Sequence, residues 1–234
     1  MAKLSKKKVT GILDLLQAEY PDAGCALVHL NVFELIVCVV LSAQTTDASV
    51  NRVSPALFAA YPDAKALAAA SAEDVAAIIR TIGMYKTKSK NIINLAKALC
   101  EKHGGLVPED YDALVALPGV GRKTANVVLA VGFGHQKIAV DTHVFRVSHR
   151  IGLATDASAG AGKGSSAGEK ISAKNAGEKN VLATEQELMK TLPEDRWTEA
   201  HHSLIWHGRN CCTARNPNCS ACPIERLCQK NGVQ

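Results

Sequence analysis

Aromatic side chains are scarce in this sequence, making up 4% of 234 residues. Since 47% of the residues are hydrophobic, alanine, leucine and valine must supply most of the core packing. The sequence also lacks a membrane-spanning run: the apolar stretch at residues 33–41 is far shorter than the roughly 20 residues that a spanning helix needs. No apolar segment follows the basic N-terminus, which argues against a secretion signal. We therefore expect a cytoplasmic protein with no membrane partner.

Excess charge is also small. The formal net charge is +5, which is compatible with a nucleic-acid partner but does not demonstrate one. The eight cysteines would suit disulfides in a secreted protein. Without a secretion signal, a metal site is the better interpretation of those that cluster.

Hydrophobic periodicity predicts helices, and no alternating strand pattern persists. The predicted helices cover residues 9–19, 33–41, 46–60, 72–80, 87–103, 109–117, 122–132, 141–151, 184–192 and 195–208. Capping-box patterns mark two helix starts, at Ser71 with Asp74 and at Thr184 with Glu187. Residues 155–180 are rich in Gly, Ala, Ser and Lys and predict a flexible surface insertion, either without a task or contacting DNA or a partner.

A turn with glycines opens the most informative stretch, which runs from Leu117 to Asp141. Pro118 cannot extend the preceding helix, and Gly119 and Gly121 flank Val120 in a pattern suited to a tight turn with positive φ. The helix that follows begins with N–H groups that lack intrahelical partners and can approach a phosphate. The pattern favours a helix-hairpin-helix motif, although an ordinary corner between two helices has the same outline.

Two polar residues in this stretch suggest catalysis. Lys123 falls in the first turn of the second helix, where a cation opposes the helix dipole by ~0.3–1 kcal/mol. Because the positive end of the helix favours the uncharged amine, the position suits a nucleophile. Asp141 follows an apolar segment and precedes a helix, so it is either an N-cap or a catalytic carboxylate.

Four cysteines cluster near the C-terminus with the spacing C-x6-C-x2-C-x5-C, at Cys212, Cys219, Cys222 and Cys228. The loop between the first two is too polar for a buried core, so the thiolates need a metal to hold them. Zinc and a [4Fe-4S] cluster both fit this donor set on chemistry alone.

The segments LPGVGRKTA and VDTHVFRV, together with the cysteine spacing, closely resemble the helix-hairpin-helix DNA glycosylases of the endonuclease III family. The resemblance implies an all-α fold of two helical domains with a DNA-binding cleft between them. One domain would be a six-helix domain at residues 25–135. The other would join residues 1–24 to residues 136–234 and carry a C-terminal [4Fe-4S] cluster on the four cysteines.

The same resemblance implies roles for individual residues. Lys123 corresponds to the amine nucleophile and Asp141 to the second catalytic residue. Gln44 corresponds to the glutamine that fills the gap left by an extruded base, and Met84 stands where the family has a leucine wedge. DNA contacts are implied for the hairpin and its neighbours, namely Leu117, Gly119, Val120, Gly121 and Arg122. The basic stretch of Arg80, Lys86, Lys88, Lys90 and Lys97 is expected to face the DNA backbone.

The expected function is a bifunctional DNA glycosylase and abasic-site lyase of base excision repair. It would act as a monomer on double-stranded DNA containing oxidised pyrimidines or abasic sites, and it would be nucleoid-associated if bacterial. A monofunctional glycosylase for mismatched adenine or thymine is one alternative, but such enzymes generally lack the lysine. A non-catalytic helix-hairpin-helix DNA-binding protein is the other, and the pairing of Lys123 with Asp141 argues against it.

Overall fold

The computed structural model describes residues 4–155 and 173–233, and every regular element in those ranges is helical. This confirms the all-α class predicted from the sequence. The chain divides into two compact units, Cys25–His135 on the one hand and Met1–Gly24 with Gln136–Gln234 on the other. Each unit has its own hydrophobic core.

The unit Cys25–His135 is built around a buried helix. Its helices are α2 (Val32–Leu41), α3 (Asp47–Ala60), α4 (Ala64–Ala68), α5 (Ala72–Ile78), α6 (Tyr85–His103), α7 (Tyr111–Val115) and α8 (Arg122–Val127). α2 is buried from Glu34 to Leu41, as expected for a helix that is apolar on all sides. α8 continues into a π-helical turn, Val128–Gly132, where a Cβ on Gly132 would come within 2.9 Å of the Val32 side chain. This close approach needs glycine and seats α8 against α2.

The second unit packs helices from both ends of the chain. Its α-helices within the described residues are α1 (Lys6–Glu19), α9 (Thr142–Ile151), α10 (Ala173–Thr191) and α11 (Trp197–Asn210). Leu16 of α1, Val144 of α9 and Leu204 of α11 are fully buried in its core. A short 3-10 turn, Cys219–Ala221, follows in the C-terminal segment.

The prediction for residues 155–192 was wrong in part. α10 begins at Ala173, so the C-terminal end of the predicted flexible insertion is helical, while residues 156–172 lie outside the described ranges. Thr184 is not an N-cap: it is fully buried inside α10, and its hydroxyl donates to the Asn180 carbonyl at 2.9 Å. The predicted capping partner Glu187 instead accepts hydrogen bonds from the Thr155 backbone and side chain. The T-x-x-E spacing is not specific to helix starts, because a Thr followed by a Glu three residues later also occurs inside helices.

α4 was not predicted at all. Five residues are too few to show helical periodicity, and the helix depends on the Asp63 side chain, which accepts from the Ala66 N–H at 2.8 Å.

Among the described residues, no helix has both the length and the hydrophobicity that a membrane span requires.

Candidate DNA-binding and catalytic site

The turn between α7 and α8 is a hairpin closed by backbone hydrogen bonds. The Leu117 N–H donates to the Leu114 carbonyl at 3.0 Å, and the Val120 N–H donates to the Leu117 carbonyl at 3.1 Å. Gly119 has a φ of 78°, which glycine adopts without a steric penalty. Gly121 does not share that conformation: it is extended, with φ −102°, and forms the N-cap of α8. The expectation of positive φ was therefore wrong for Gly121.

The hairpin offers backbone groups rather than side chains to a ligand. Leu117 and Val120 are only 3% and 6% exposed and belong to the hydrophobic core. The N–H groups of Gly119 and Gly121 pair with no acceptor among the described residues. A Cβ on Gly121 would meet no atom within 4 Å, so the chain's own packing does not demand glycine there. The space over Gly121 is open to an approaching ligand.

Lys123 is the second residue of α8 and is exposed. Its ammonium has no hydrogen bond or ion pair with any described residue, and α8 has no acidic residue in its first turn. The neighbouring Arg122 lies against α7 instead: its guanidinium donates to the Tyr111 hydroxyl at 3.4 Å and lies 5.9 Å from the centroid of that ring. The fold thus holds the arginine against α7 and leaves the lysine amine unengaged.

Asp141 is the N-cap of α9 and is half-buried. Its Oδ1 accepts from the N–H groups of His143 at 2.8 Å and Val144 at 2.7 Å. Within the described ranges, no donor contacts Oδ2. Capping and catalysis were alternatives for this residue in the sequence, but the geometry allows both, because one oxygen orients the carboxylate and the other remains available.

Gln44 and Met84 both have left-handed backbones, with φ of 54° and 57°. The described part of the chain has only one other non-glycine residue with positive φ, Lys230. Such a conformation costs roughly 1–2 kcal/mol for a residue with a Cβ. Gln44 is exposed in the turn between α2 and α3, and Met84, 52% exposed, directly precedes α6. The fold therefore projects both side chains to solvent from strained turns of the same unit.

The basic stretch is not a uniform surface. Its exposed members are Arg80, Lys86, Lys90 and Lys97. Lys88 is only 3% exposed, and its ammonium donates to the Thr45 hydroxyl. The expectation that all five cations face the DNA backbone is therefore wrong for Lys88, whose ammonium is turned into the protein.

The four clustered cysteines line a single cavity in the unit that includes the C-terminus. Those residues are Cys212, Cys219, Cys222 and Cys228, and Cys211, His207 and Arg150 also line the cavity. Burial raises the pKa values of the Cys222 and Cys228 thiols, and the charges of Cys212 and Cys219 raise them further. Thiolates this crowded need a metal to balance their charge.

A nitrogen group lies beside each of three of these sulfurs. The Arg150 guanidinium lies 3.5 Å from Cys212 Sγ, the Lys230 N–H 3.3 Å from Cys228 Sγ, and His207 Nε2 3.6 Å from Cys222 Sγ. Hydrogen bonds of this kind stabilise metal-bound thiolates. His207 is buried beside the cysteines, and burial lowers its pKa to about 4. The donor set fits an iron-sulfur cluster.

Two arginines of α9 hold the start of the cysteine loop. Arg146 donates to the carbonyls of Gly208 at 2.8 Å and Cys212 at 3.2 Å. Arg150 donates to the carbonyls of Thr213 at 2.6 Å and Ala214 at 2.8 Å. The helix that Asp141 caps is therefore bonded directly to the cysteine loop.

Comparison with known proteins identifies the family. Residues 37–163 match the HhH-GPD superfamily of base excision DNA repair proteins, and residues 212–228 match the iron-sulfur binding domain of endonuclease III. The endonuclease III of Bacillus subtilis (strain 168) is 44% identical over 97% of this chain and 94% of its own length. That of Escherichia coli (strain K12) is 42% identical, with 97% of both chains covered. The chain belongs to the endonuclease III family.

Solved structures agree with this assignment. A trapped covalent intermediate of an endonuclease III with DNA superposes with a TM-score of 0.82 at 43% identity, covering 97% of both chains. A non-covalent endonuclease III–DNA complex gives the same TM-score and identity. A thermostable thymine-DNA glycosylase, 20% identical, shares the fold with a TM-score of 0.78.

Membership of the endonuclease III family confirms the function predicted from the sequence at the level of reaction class. The chain is an enzyme of base excision repair, a DNA glycosylase and abasic-site lyase, and DNA is its partner. The match at residues 212–228 also confirms the iron-sulfur cofactor and decides against zinc.

Cys219→Ala is expected to lose iron and solubility together, because an incomplete set of thiolates cannot close the loop. Cys211→Ala is the matched control: Cys211 lines the same cavity but lies outside the C-x6-C-x2-C-x5-C pattern. Iron analysis and visible absorbance of protein purified without air measure both variants. Loss of iron from Cys211→Ala, or its retention in Cys219→Ala, would contradict the ligand set.

Proposed function

We propose that this enzyme removes oxidised pyrimidines from duplex DNA through a covalent bond to Lys123 and then cleaves the strand at the same nucleotide. It acts as a monomer in the cytoplasm and, if bacterial, associates with the nucleoid. The carrying observation is the exposed amine of Lys123, which no described residue engages, at a helix start that disfavours a purely structural cation. The covalent intermediate trapped in a relative 43% identical to this chain supports a covalent route.

The reaction proceeds in two steps. The Lys123 amine attacks C1′, the C1′–N bond to the base breaks, and the base leaves with a proton. The amine loses its protons and the sugar ring opens, which gives an imine between Lys123 and C1′. Removal of a proton from C2′ then expels the 3′ phosphate by β-elimination, and water hydrolyses the imine to free the enzyme.

Asp141 stabilises the positive charge that develops in the first step. Its Oδ1 is held by two backbone N–H groups, which orients the carboxylate and leaves Oδ2 for the reacting nucleotide. A fixed carboxylate stabilises the positive charge that develops on the sugar as the base departs.

The hairpin binds the DNA backbone. The N–H groups of Gly119 and Gly121 suit a phosphate oxygen, and the open space over Gly121 lets the phosphate approach. Arg122 and the exposed cations of the basic stretch add sequence-independent attraction. When bound, the iron-sulfur cluster supplies a rigid cross-link among four thiolates, which keeps the C-terminal loop folded.

Gln44 and Met84 stabilise DNA from which a base has been extruded. A flipped nucleotide leaves a gap in the stack, and proteins commonly fill such gaps with inserted side chains. The strained turns that expose Gln44 and Met84 are consistent with this role, because backbone strain concentrates at functional positions.

A monofunctional mismatch glycosylase is the alternative, and strand cleavage separates the two. One set of duplexes carries thymine glycol and another carries an adenine or thymine mismatch, each labelled on the damaged strand. We expect the thymine glycol strand to be nicked without added alkali, and the mismatched strands to be left intact. Base release from the mismatches, with breaks that appear only after alkali, would overturn the proposal.

Gln44→Gly is expected to slow excision of thymine glycol by about tenfold or more while leaving cleavage of a preformed abasic site within about twofold. The reason is that an abasic nucleotide costs less to extrude, so filling the gap matters less. Glycine is used because it relaxes the left-handed turn, whereas alanine would retain the strain. Gln186→Ala, exposed on α10, is the control. Equal slowing on both substrates would show that Gln44 merely supports its turn.

A further inference from the structure

Lys88 is a buried cation without a carboxylate. It lies one turn into α6, is 3% exposed, and has no ion pair with any described residue. Burial lowers its pKa. Leaving water is costly for an ammonium, and a methionine or leucine of similar volume would pack there without that cost. Such a residue calls for an explanation beyond stability.

Lys88 contacts both of the strained turns. Its backbone N–H makes the first helical bond of α6 to the Met84 carbonyl at 2.9 Å, as any non-proline residue there would, and its ammonium donates to the Thr45 hydroxyl at 2.5 Å. Thr45 directly follows Gln44, and its own N–H closes that turn on the Ser42 carbonyl at 3.0 Å. One side chain therefore connects the start of α6, where Met84 lies, to the turn that carries Gln44.

We propose that Lys88 is a positioning residue that holds the Gln44 and Met84 turns in the joint geometry required to fill the gap beside an extruded base. The inference rests on the proposed gap-filling role of those two residues. Each turn has a backbone conformation that a non-glycine residue avoids. A hydrogen bond from a charged donor across the two turns limits their independent movement.

This role differs from a direct DNA contact. The exposed cations of the same stretch, among them Lys86 and Lys90, can meet phosphates without rearrangement, but Lys88 is buried. Its removal should therefore change the processing of lesions that require a base to be extruded, and it should leave salt-dependent binding to undamaged duplex unchanged.

The decisive variant is Lys88→Met, which preserves length and packing but removes the donor. We expect excision of thymine glycol to fall about tenfold, as when a hydrogen bond from a charged group is lost. Cleavage of a preformed abasic site should stay within about twofold of wild type, because less filling is needed there. The melting temperature should be unchanged or higher, since a desolvated charge has been removed. Lys102→Met, at the exposed C-terminal end of α6, is the matched control and should behave as wild type.

Variants at the acceptor test whether the Lys88–Thr45 bond itself is responsible. Thr45→Val removes the hydroxyl and should reproduce the selective loss, whereas Thr45→Ser retains it and should restore wild-type rates. The double variant Lys88→Met/Thr45→Val should be no slower than either single variant, because both remove the same bond. Additive losses would overturn the inference.

The remaining outcomes distinguish failure of the Lys88 inference from failure of the proposed gap-filling role of Gln44 and Met84. Equal slowing on both substrates, or a lowered melting temperature for Lys88→Met, would show a merely structural role. If Gln44→Gly shows the selective loss and Lys88→Met does not, the inference fails and the gap-filling role stands. If Gln44→Gly also shows no selective loss of thymine glycol excision, the gap-filling role fails, and the inference about Lys88 fails with it.

Discussion

Lys123→Gln is expected to abolish strand cleavage on both thymine glycol and abasic duplexes, with a rate loss on the order of 10⁴-fold or more, as when a covalent nucleophile is removed. Glutamine retains much of the side-chain length but removes the amine and its charge. Binding to abasic duplex should persist within about tenfold, because the hairpin N–H groups at Gly119 and Gly121 do not depend on Lys123. Single-turnover nicking and a binding titration measure the two effects.

A second variant distinguishes a covalent role of Lys123 from a purely electrostatic one. Lys123→Arg keeps a cation beside the hairpin and should bind as tightly as wild type, yet it should be as inactive as Lys123→Gln. Lys102→Gln, exposed in the last turn of α6, removes a lysine elsewhere on the surface and should retain full activity. Substantial nicking by Lys123→Arg would show that the residue supplies charge rather than a covalent bond.

Asp141→Asn is expected to slow base excision on the order of 10²- to 10³-fold with little change in folding stability. Asparagine caps a helix about as well as aspartate, so the bonds to His143 and Val144 are retained. Loss of the charge near the start of α9 costs only ~0.3–1 kcal/mol. Single-turnover excision and thermal melting test the two parts of this expectation.

Asp63→Asn provides the matched control for Asp141→Asn. Asp63 caps α4 through a hydrogen bond from the Ala66 N–H, and the same change there removes a capping charge from a different helix. It should leave activity unchanged. If Asp141→Asn excises thymine glycol at the wild-type rate, Asp141 serves only as a cap.

The sequence predicted the local backbone well where local chemistry determines it. Pro118 and Gly119 specify the turn, and the buried α2 follows from an uninterrupted apolar run. The cysteine spacing predicted the C-terminal loop because four thiolates this close have few alternatives to a metal. Sequence could not show that Gly121 is extended, since glycine is compatible with either sign of φ. Nor could it choose between capping and catalysis for Asp141, because that depends on which carboxylate oxygen is engaged.

Lys88 was misplaced even though a usable signal was present. It precedes Ile92, Leu95 and Leu99 at spacings of four, seven and eleven, which places it on the buried stripe of α6. Grouping the basic residues by charge concealed that periodicity. The start of α10 had no such signal, because large apolar residues begin only at Val181, eight residues after Ala173.

The most direct test of the covalent mechanism is to locate the sugar on the enzyme. Borohydride reduces the imine formed during turnover and fixes the wild-type protein to abasic DNA. Nuclease and protease digestion followed by mass spectrometry then identifies the residue that carries the sugar. The account predicts a single modified residue, Lys123, and no trapped complex with Lys123→Gln. An adduct on another lysine or on the N-terminal amine, or trapping of Lys123→Gln at the wild-type rate, would contradict it.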